Sequence, residues 1–266
     1  MKIFKSIILI FYFLIVYVYI TIAQIKPGSW RDHLSFYKIN MICENEDNIF
    51  CATDGGIISI NKIDDSYKKI TRTNGLSDVS INKIAYSFKN KCLILIYDNL
   101  NIDIIENNKI INLPHLKNKV ISGKKEINNI YIYEDFAYLS TSFGIIVIDL
   151  KKKEFKDQYI LYSSYFNELE IFDLSIHNNF IFAATSNGLY KAELNKNLSD
   201  FNSWIILNNL PYNSGKYNNI EIINQTVFTT YLKSNNTFSL YKITDDSNLE
   251  ILNNLDNIKS LFIYND

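Results

Sequence analysis

Phe50-Cys51-Ala52-Thr53-Asp54-Gly55-Gly56-Ile57-Ile58-Ser59-Ile60 reads as two apolar strands joined by a tight turn. The same reading returns every 44 residues, in Ile94–Ile104, Tyr138–Ile148 and Phe182–Ala192. The anchor of the repeat runs Gly56, Leu100, Gly144, Gly188. A period in the forties built of short strands is the signature of propeller blades rather than of helical repeats. The expected fold is therefore all-β, a β-propeller of four-stranded blades with the innermost strand first in each.

Working outward from the repeat, short runs bounded by Asn, Asp and Lys turns fill five blades. Blade one is Ile39–Cys43, Ile49–Thr53, Ile57–Asn61 and Tyr67–Thr71. Blade two is Ser80–Tyr86, Cys92–Tyr97, Asn101–Glu106 and Lys109–Leu113. Blade three is Ile127–Tyr133, Phe136–Thr141, Ile145–Leu150 and Phe155–Ile160. Blade four is Ile171–Ile176, Phe180–Thr185, Leu189–Leu194 and Trp204–Leu207. Blade five is Asn219–Ile223, Thr226–Leu232, Phe238–Ile243 and Leu249–Leu252. Ile258–Tyr264 reads as the first strand of a sixth, so the propeller is expected to be incomplete, as in a fragment of a longer protein; the alternative is a five-bladed ring in which 258–264 packs irregularly. A second repeat lies in the connectors. Leu34-Ser35 before Ile39-Asn40-Met41-Ile42 matches Leu76-Ser77 before Ile81-Asn82-Lys83-Ile84. By that match, Ser29–His33 occupies an outer-strand position and is expected to close the ring on the last blade.

Composition agrees. The chain is 47% hydrophobic with 19 Tyr and 17 Phe, residues that suit pleated, half-buried surfaces. With only 8 Gly and 3 Pro, turns fall to Asn and Asp, which tolerate positive φ. Net charge is −1, or −3 once Lys2 and Lys5 leave with a leader (−1 − 2). No basic stripe is present, which argues against a nucleic-acid partner.

Residues 1–23 read as a signal peptide. Lys2 and Lys5 precede an apolar and aromatic run from Ile7 to Ile20, and Thr21-Ile22-Ala23 offers a small-x-small site before Gln24. The alternative is an uncleaved anchor helix, against which the run is shorter than the about 20 residues that span a bilayer. Cleavage would leave residues 24–266 as the propeller domain, exported to the periplasm, outer membrane or cell surface. Cys43, Cys51 and Cys92 then remain, an odd number that argues against a disulfide framework. Cys51 and Cys92 lie inside apolar strands and read as small buried hydrophobes.

Candidate chemistry is sparse. His33, His115 and His177 are far apart, with no Cys, His or carboxylate at ligand spacing, so a zinc site is unsupported. His33 beside Asp32 reads as a structural hydrogen bond, and His177 as a solvated turn residue. Asp64-Asp65 and Asp245-Asp246 read as surface pairs, and no calcium loop is present. No nucleophile elbow, phosphate loop or H-E-x-x-H occurs. Asp54, Asp78 and Asp98 are expected at the ends of inner strands or in connectors, where carboxylates from different blades could converge as in propeller glycosidases. The sequons at Asn197, Asn224 and Asn235 are at the frequency expected of so Asn-rich a chain.

Thr73–Ile84, following Ala52-Thr53-Asp54-Gly55-Gly56-Ile57, resembles the two-component regulator propeller repeat. The ordered set Trp30–Phe36, Cys51–Gly56, Asn74–Asp78, Asn101–Ile105, Phe143–Leu150 and Phe182–Thr185 more closely resembles the N-terminal propeller of the PorZ-like family of the type IX secretion system. That resemblance implies two propellers and a C-terminal sorting domain, of which this chain holds part of the first. It implies a non-enzymatic binding and assembly module in an outer-membrane attachment complex. The partners it implies are sortase-like and other attachment-complex proteins, with handling of anionic lipopolysaccharide or glycan. No catalytic, cofactor-binding or metal-binding residue is expected. The alternatives are a periplasmic sensor propeller that binds a glycan, and a propeller glycosidase or lyase using Asp54, Asp78 and Asp98.

Overall fold

The computed structural model describes residue 12, residues 34–256 and residue 258, apart from 164, 166, 208, 209, 213, 225 and 245–247. The signal-peptide reading, Trp30–His33 and all but the first residue of the strand expected at 258–264 lie outside the described residues. The chain divides into units 1–33 and 34–266, and the strands all belong to the second. Among the described residues no helix is long and apolar enough to cross a membrane.

Five antiparallel four-stranded sheets follow one another along the chain. The first holds β1 (Ile39–Glu44), β2 (Asn48–Thr53), β3 (Gly56–Asn61) and β4 (Tyr67–Ile70). The second holds β5 (Ile81–Ser87), β6 (Cys92–Tyr97), β7 (Ile102–Glu106) and β8 (Lys109–Leu113). The third holds β9 (Ile127–Tyr133), β10 (Phe136–Thr141), β11 (Gly144–Asp149) and β12 (Glu154–Tyr159). The fourth holds β13 (Ile171–His177), β14 (Phe180–Thr185), β15 (Gly188–Glu193) and β16 (Ile205–Ile206). The fifth holds β17 (Tyr217–Ile223), β18 (Thr226–Leu232), β19 (Phe238–Ile243) and β20 (Asn248–Leu255). The first strands pack in order, β1 on β5, β5 on β9, β9 on β13 and β13 on β17, which makes them the inner strands of a propeller. Among the described residues the ring is not closed.

The sheets of blades two, three and four each lie between two neighbours, and middle strands such as β6 are buried throughout. That is why Cys92–Tyr97 reads as an unbroken apolar run rather than as alternation. The core is divided by blade boundary. Ala52 and Ile57 meet Ile81 and Ile84 at the first boundary. Ile96 and Leu100 meet Ile127 and Ile130 at the second. Tyr138 and Ile145 meet Ile171 and Leu174 at the third. Ala184 and Leu189 meet Tyr217 and Ile220 at the fourth. Each fully buried Ile or Leu contributes about 1.5–3 kcal/mol.

Two local devices recur. The turn between the second and third strands is closed by a buried threonine. Thr53, Thr141 and Thr185 donate to the carbonyls of Gly56, Gly144 and Gly188 at 2.7–2.8 Å. The same hydroxyls accept the N–H of Gly55, Phe143 and Asn187 at 3.1–3.2 Å. In blade two Tyr97 stands in the threonine's place, and Leu100 carries the positive φ (63°) that glycine carries elsewhere. The second device is a bulge near the start of every inner strand, at residues 40, 82, 128, 172 and 218. Outer turns use asparagine at positive φ, as at Asn107, Asn108, Asn178 and Asn179.

The structure differs from the sequence reading mainly at strand ends. Trp204–Leu207 shrinks to β16, because Trp204 follows a 3-10 turn (Phe201–Ser203) and its indole N–H donates to the Leu198 carbonyl at 2.9 Å. Leu249–Leu252 lengthens into β20. The connector from β8 to β9 contains a short helix α1 (His115–Asn118), too short for helical periodicity to reveal.

Candidate functional site

In a four-stranded antiparallel blade, the connector into the inner strand and the turn between the second and third strands emerge on the same side. One face of the ring therefore gathers the described residues of 71–80, 114–126, 160–170 and 207–216 with the turns at Asp54, Asp98, Ser142 and Ser186. Backbone bonds stitch turn to connector in blades two, three and four: Asp98 N–H to the Ser80 carbonyl, Ser142 N–H to that of Glu126 and Ser186 N–H to that of Glu170, all at 3.0 Å.

Asp54 and Asp98, from different blades, are brought together on this face. Ser80 Oγ lies 2.5 Å from Asp98 Oδ2 and 3.5 Å from Asp54 Oδ1. Asn40 Nδ2 donates to Asp54 Oδ1 at 3.0 Å, and Asn82 Nδ2 to Asp98 Oδ1 at 2.9 Å. Asn40 also donates to the Ile81 carbonyl at 2.9 Å, across the boundary between blades one and two. Both carboxylates thus sit in turns rather than at inner-strand ends, each engaged by amides and a shared hydroxyl.

Asp78 does not join them. Its Oδ2 accepts Asn99 Nδ2 at 2.6 Å and Lys117 Nζ at 2.9 Å. Partial burial opposes its ionisation, but the bonds from Asn99 and Lys117 and the charges of Lys117 and Arg72 hold its carboxyl below the usual range. The boundary between blades three and four repeats the pattern. Asn128 Nδ2 donates to Glu170 Oε1 at 3.1 Å and to the Ile171 carbonyl at 2.7 Å. Lys124 pairs with Glu126 and Glu170.

Deeper, toward the axis, lies a polar row that sequence reasoning missed. Asp173 Oδ1 accepts Asn129 Nδ2 at 2.6 Å and the Leu174 N–H at 2.9 Å, and Oδ2 accepts the Ile220 N–H at 3.0 Å. One carboxylate so joins blades three, four and five. Burial pushes Asp173 up to about 6, although its three hydrogen bonds favour the ionised form. Burial holds the Lys83 ammonium below its usual range, while the charges of Glu126 and Asp173 act the other way. Asp103, fully buried, accepts Tyr97 Oη at 2.6 Å and the Ser77 N–H at 2.9 Å, tying the first connector to blade two. A buried aspartate in an apolar strand was visible in both cases; its partners, distant in sequence, were not.

The remaining candidates stay apart. His115 is exposed and edge-on to Phe155 at 5.2 Å, beside a 360 Å³ groove between α1 and β12. His177 ends β13 at a turn. His33 and Asp245-Asp246 lie outside the described residues. Asp64 accepts Ser66 in the β3–β4 turn. The sequon residues Asn197 and Asn235 accept neighbouring backbone N–H groups in turns, and Asn224 has positive φ in the β17–β18 turn. Cys51 and Cys92 are buried and all three thiols are free. Burial, with smaller effects from Cys51 and Glu44, pushes the Cys43 thiol up to about 12. Among the described residues no group of three or more His, Cys, Asp or Glu could hold a metal ion.

Inner-strand bulges, threonine-closed turns and a loop face pinned by inter-blade hydrogen bonds define a rigid β-propeller scaffold. The model of the type IX secretion system PorZ N-terminal β-propeller domain matches residues 49–205, more than half of the chain, and the chain belongs to that family. The structure is similar to that of PorZ, a surface component of the type IX secretion system of Porphyromonas gingivalis, with 25% identity and a TM-score of 0.72 over 85% of this chain and 29% of that one. It is also similar to the extracellular domain of a hybrid two component system from B. thetaiotaomicron, with 18% identity and a TM-score of 0.56 over 77% of this chain and 27% of that one. An ancestral GH74 enzyme aligns with 11% identity and a TM-score of 0.63 over 84% of this chain and 33% of that one. The last two likenesses show the fold alone. The chain spans about a third or less of these three proteins. No curated protein sequence matches it.

Proposed function

We propose that this propeller is a non-enzymatic binding and assembly module of a type IX secretion attachment complex at the outer membrane. Membership of the PorZ N-terminal propeller family carries the reading. In it, residues 1–23 direct export and residues 24–266 present the rigid loop face to a sortase-like partner or another attachment-complex protein, with anionic lipopolysaccharide as the glycan handled. The way Asn40, Ser80 and Asn82 engage Asp54 and Asp98 supports it, because those bonds suit a clasp between blades better than a free acid and base. The test is co-purification from outer membranes with the native protein as bait. A sortase-like partner is expected; recovery of the protein without one would count against the reading.

The enzyme alternative makes a separate prediction. A glycosidase using Asp54 and Asp98 would lose polysaccharide cleavage on Asp54→Asn and Asp98→Asn. We expect no cleavage by the parent chain across a broad glycan panel, and cleavage abolished by those two changes would reverse the assignment. A sensor would bind a defined glycan fragment without any partner protein, which calorimetry on the same panel reads directly.

A further inference from the structure

Three connectors on the loop face lay a ring on the outer half of the blade they enter. His115 meets Phe155 at 5.2 Å and Tyr162 meets Phe201 at 5.9 Å, both edge-on. Blade five differs. Tyr212 stacks on Tyr231 with ring centroids 4.3 Å apart and planes 14° from parallel, the one face-to-face pair among the described residues. Tyr241 meets the Tyr212 ring edge-on at 6.5 Å. With one face on Tyr231, Tyr212 is still 43% exposed. A parallel stack leaves the outer face of the upper ring flat and open, which an edge-on contact does not.

The ring is fixed from below. Tyr217, fully buried, donates its hydroxyl to the Tyr212 carbonyl at 2.9 Å. Gly215, at φ 140°, passes so close that a Cβ there would lie 2.7 Å from the Tyr231 ring. Its carbonyl accepts the Gly188 N–H at 2.8 Å, which ties the connector to blade four. Polar groups edge the stack. Ser239 is the cross-strand neighbour of Tyr231 and Glu250 that of Tyr241, so both lie on the same face of the sheet as the rings. Glu250 Oε1 accepts Ser239 Oγ at 2.5 Å and Lys233 Nζ, from the β18–β19 turn, at 2.9 Å. The bonds from Ser239 and Lys233 hold the Glu250 carboxyl below its usual range. A carboxylate and an ammonium thus stand beside an open aromatic ring.

We propose that the open face of Tyr212 is a stacking platform for one pyranose ring of a glycan, with Lys233, Glu250 and Ser239 as the hydrogen-bonding groups at its edge. A pyranose with equatorial hydroxyls has a flat face of axial C–H groups and a rim of hydroxyls that both donate and accept. The C–H face covers the aromatic ring, whose face carries the negative end of its quadrupole. The hydroxyls donate to the carboxylate and accept from the ammonium. An apolar peptide or acyl chain would cover the ring and leave that polar edge unused. The proposal rests on the loop face being the binding face, and adds where on it a sugar sits and which face of the sugar fits.

Calorimetry on the full chain with cellohexaose, whose glucose hydroxyls are all equatorial, tests it. Binding is expected, weakened at least about tenfold by Tyr212→Ala and kept within about twofold by Tyr212→Phe, which retains the ring. Glu250→Gln should weaken it about three- to tenfold. A second readout needs no variant to fold. At about four times its Kd, cellohexaose should slow nitration of Tyr212 by tetranitromethane about fivefold in the parent chain. Tyr37 and Tyr67, exposed elsewhere, should keep their rates. Absence of cellohexaose binding, binding that Tyr212→Ala leaves unchanged, or nitration of Tyr212 that the sugar does not slow would overturn the platform. A sortase-like partner lost on Tyr212→Ala, with no sugar bound by the parent, would overturn it too and leave the assembly reading standing.

Discussion

At the residue scale, buried polar groups separate into those that hold blades together and those that do not. Ser140 Oγ is buried with no hydrogen-bond partner among the described residues, whereas its equivalents in blades one and four are Ala52 and Ala184. Ser140→Ala should therefore leave the melting temperature unchanged or raised, since an unpaired buried hydroxyl costs about 1–3 kcal/mol. Asp173 is the opposite case. Its folded-state value of about 6 lies above the unfolded value of about 3.9. The folded state thus keeps a proton that the unfolded state loses first, and stability from this group falls as pH rises from about 4 to about 6. The full swing is about 2–3 kcal/mol. Glu221, also raised by burial, and Lys83 lie beside it, so denaturant titrations should compare the parent with Asp173→Asn. The variant should gain on the parent by about 2 kcal/mol between pH 4 and pH 7; a flat difference would mean that Asp173 is not desolvated.

At the element scale, the turn between the second and third strands is the unit that the sequence repeats. Gly144 has φ 108°, and a Cβ there would lie 2.3 Å from the Tyr159 carbonyl oxygen. Gly144→Ala should cost about 2 kcal/mol or more in denaturant unfolding, the left-handed penalty plus a backbone clash. Thr185→Ala should cost about 1–2 kcal/mol, because the Asn187 N–H loses its acceptor and the Gly188 carbonyl its donor. Leu100 shows the opposite balance. It accepts positive φ and, at 4% exposure, fills the boundary core between blades two and three. Leu100→Gly should relieve the backbone yet destabilise the chain by about 1–3 kcal/mol, because the lost side-chain burial outweighs the strain. Equal or greater stability of that variant would mean that the packing term is smaller than the backbone term.

At the scale of the whole molecule, adjacent blades share one continuous boundary core each, so the propeller behaves as a stack of neighbours rather than as one centre. The 44-residue recurrence of Thr-x-x-Gly turns and apolar runs was enough to read the blade order, with strands β6, β8, β9, β10, β14, β18 and β19 matching residue for residue. That legibility has a physical cause: strand, turn and chirality preferences act within a few residues, and a repeated local solution leaves a repeated pattern. The ordered motifs likewise pointed to the family. The sequence left open which side chains meet. Asp54 and Asp98 are 44 residues apart yet share Ser80, while Asp78, only two residues from Ser80, turns away to Lys117. Asn129 reaches Asp173, and Asp173 reaches the Ile220 N–H, each across a blade boundary. Sequence by itself determined the strands, their turns and their order. Only the tertiary structure decided the inter-blade hydrogen bonds and the raised Asp173, because both depend on the register of one sheet against the next and on the water excluded between them.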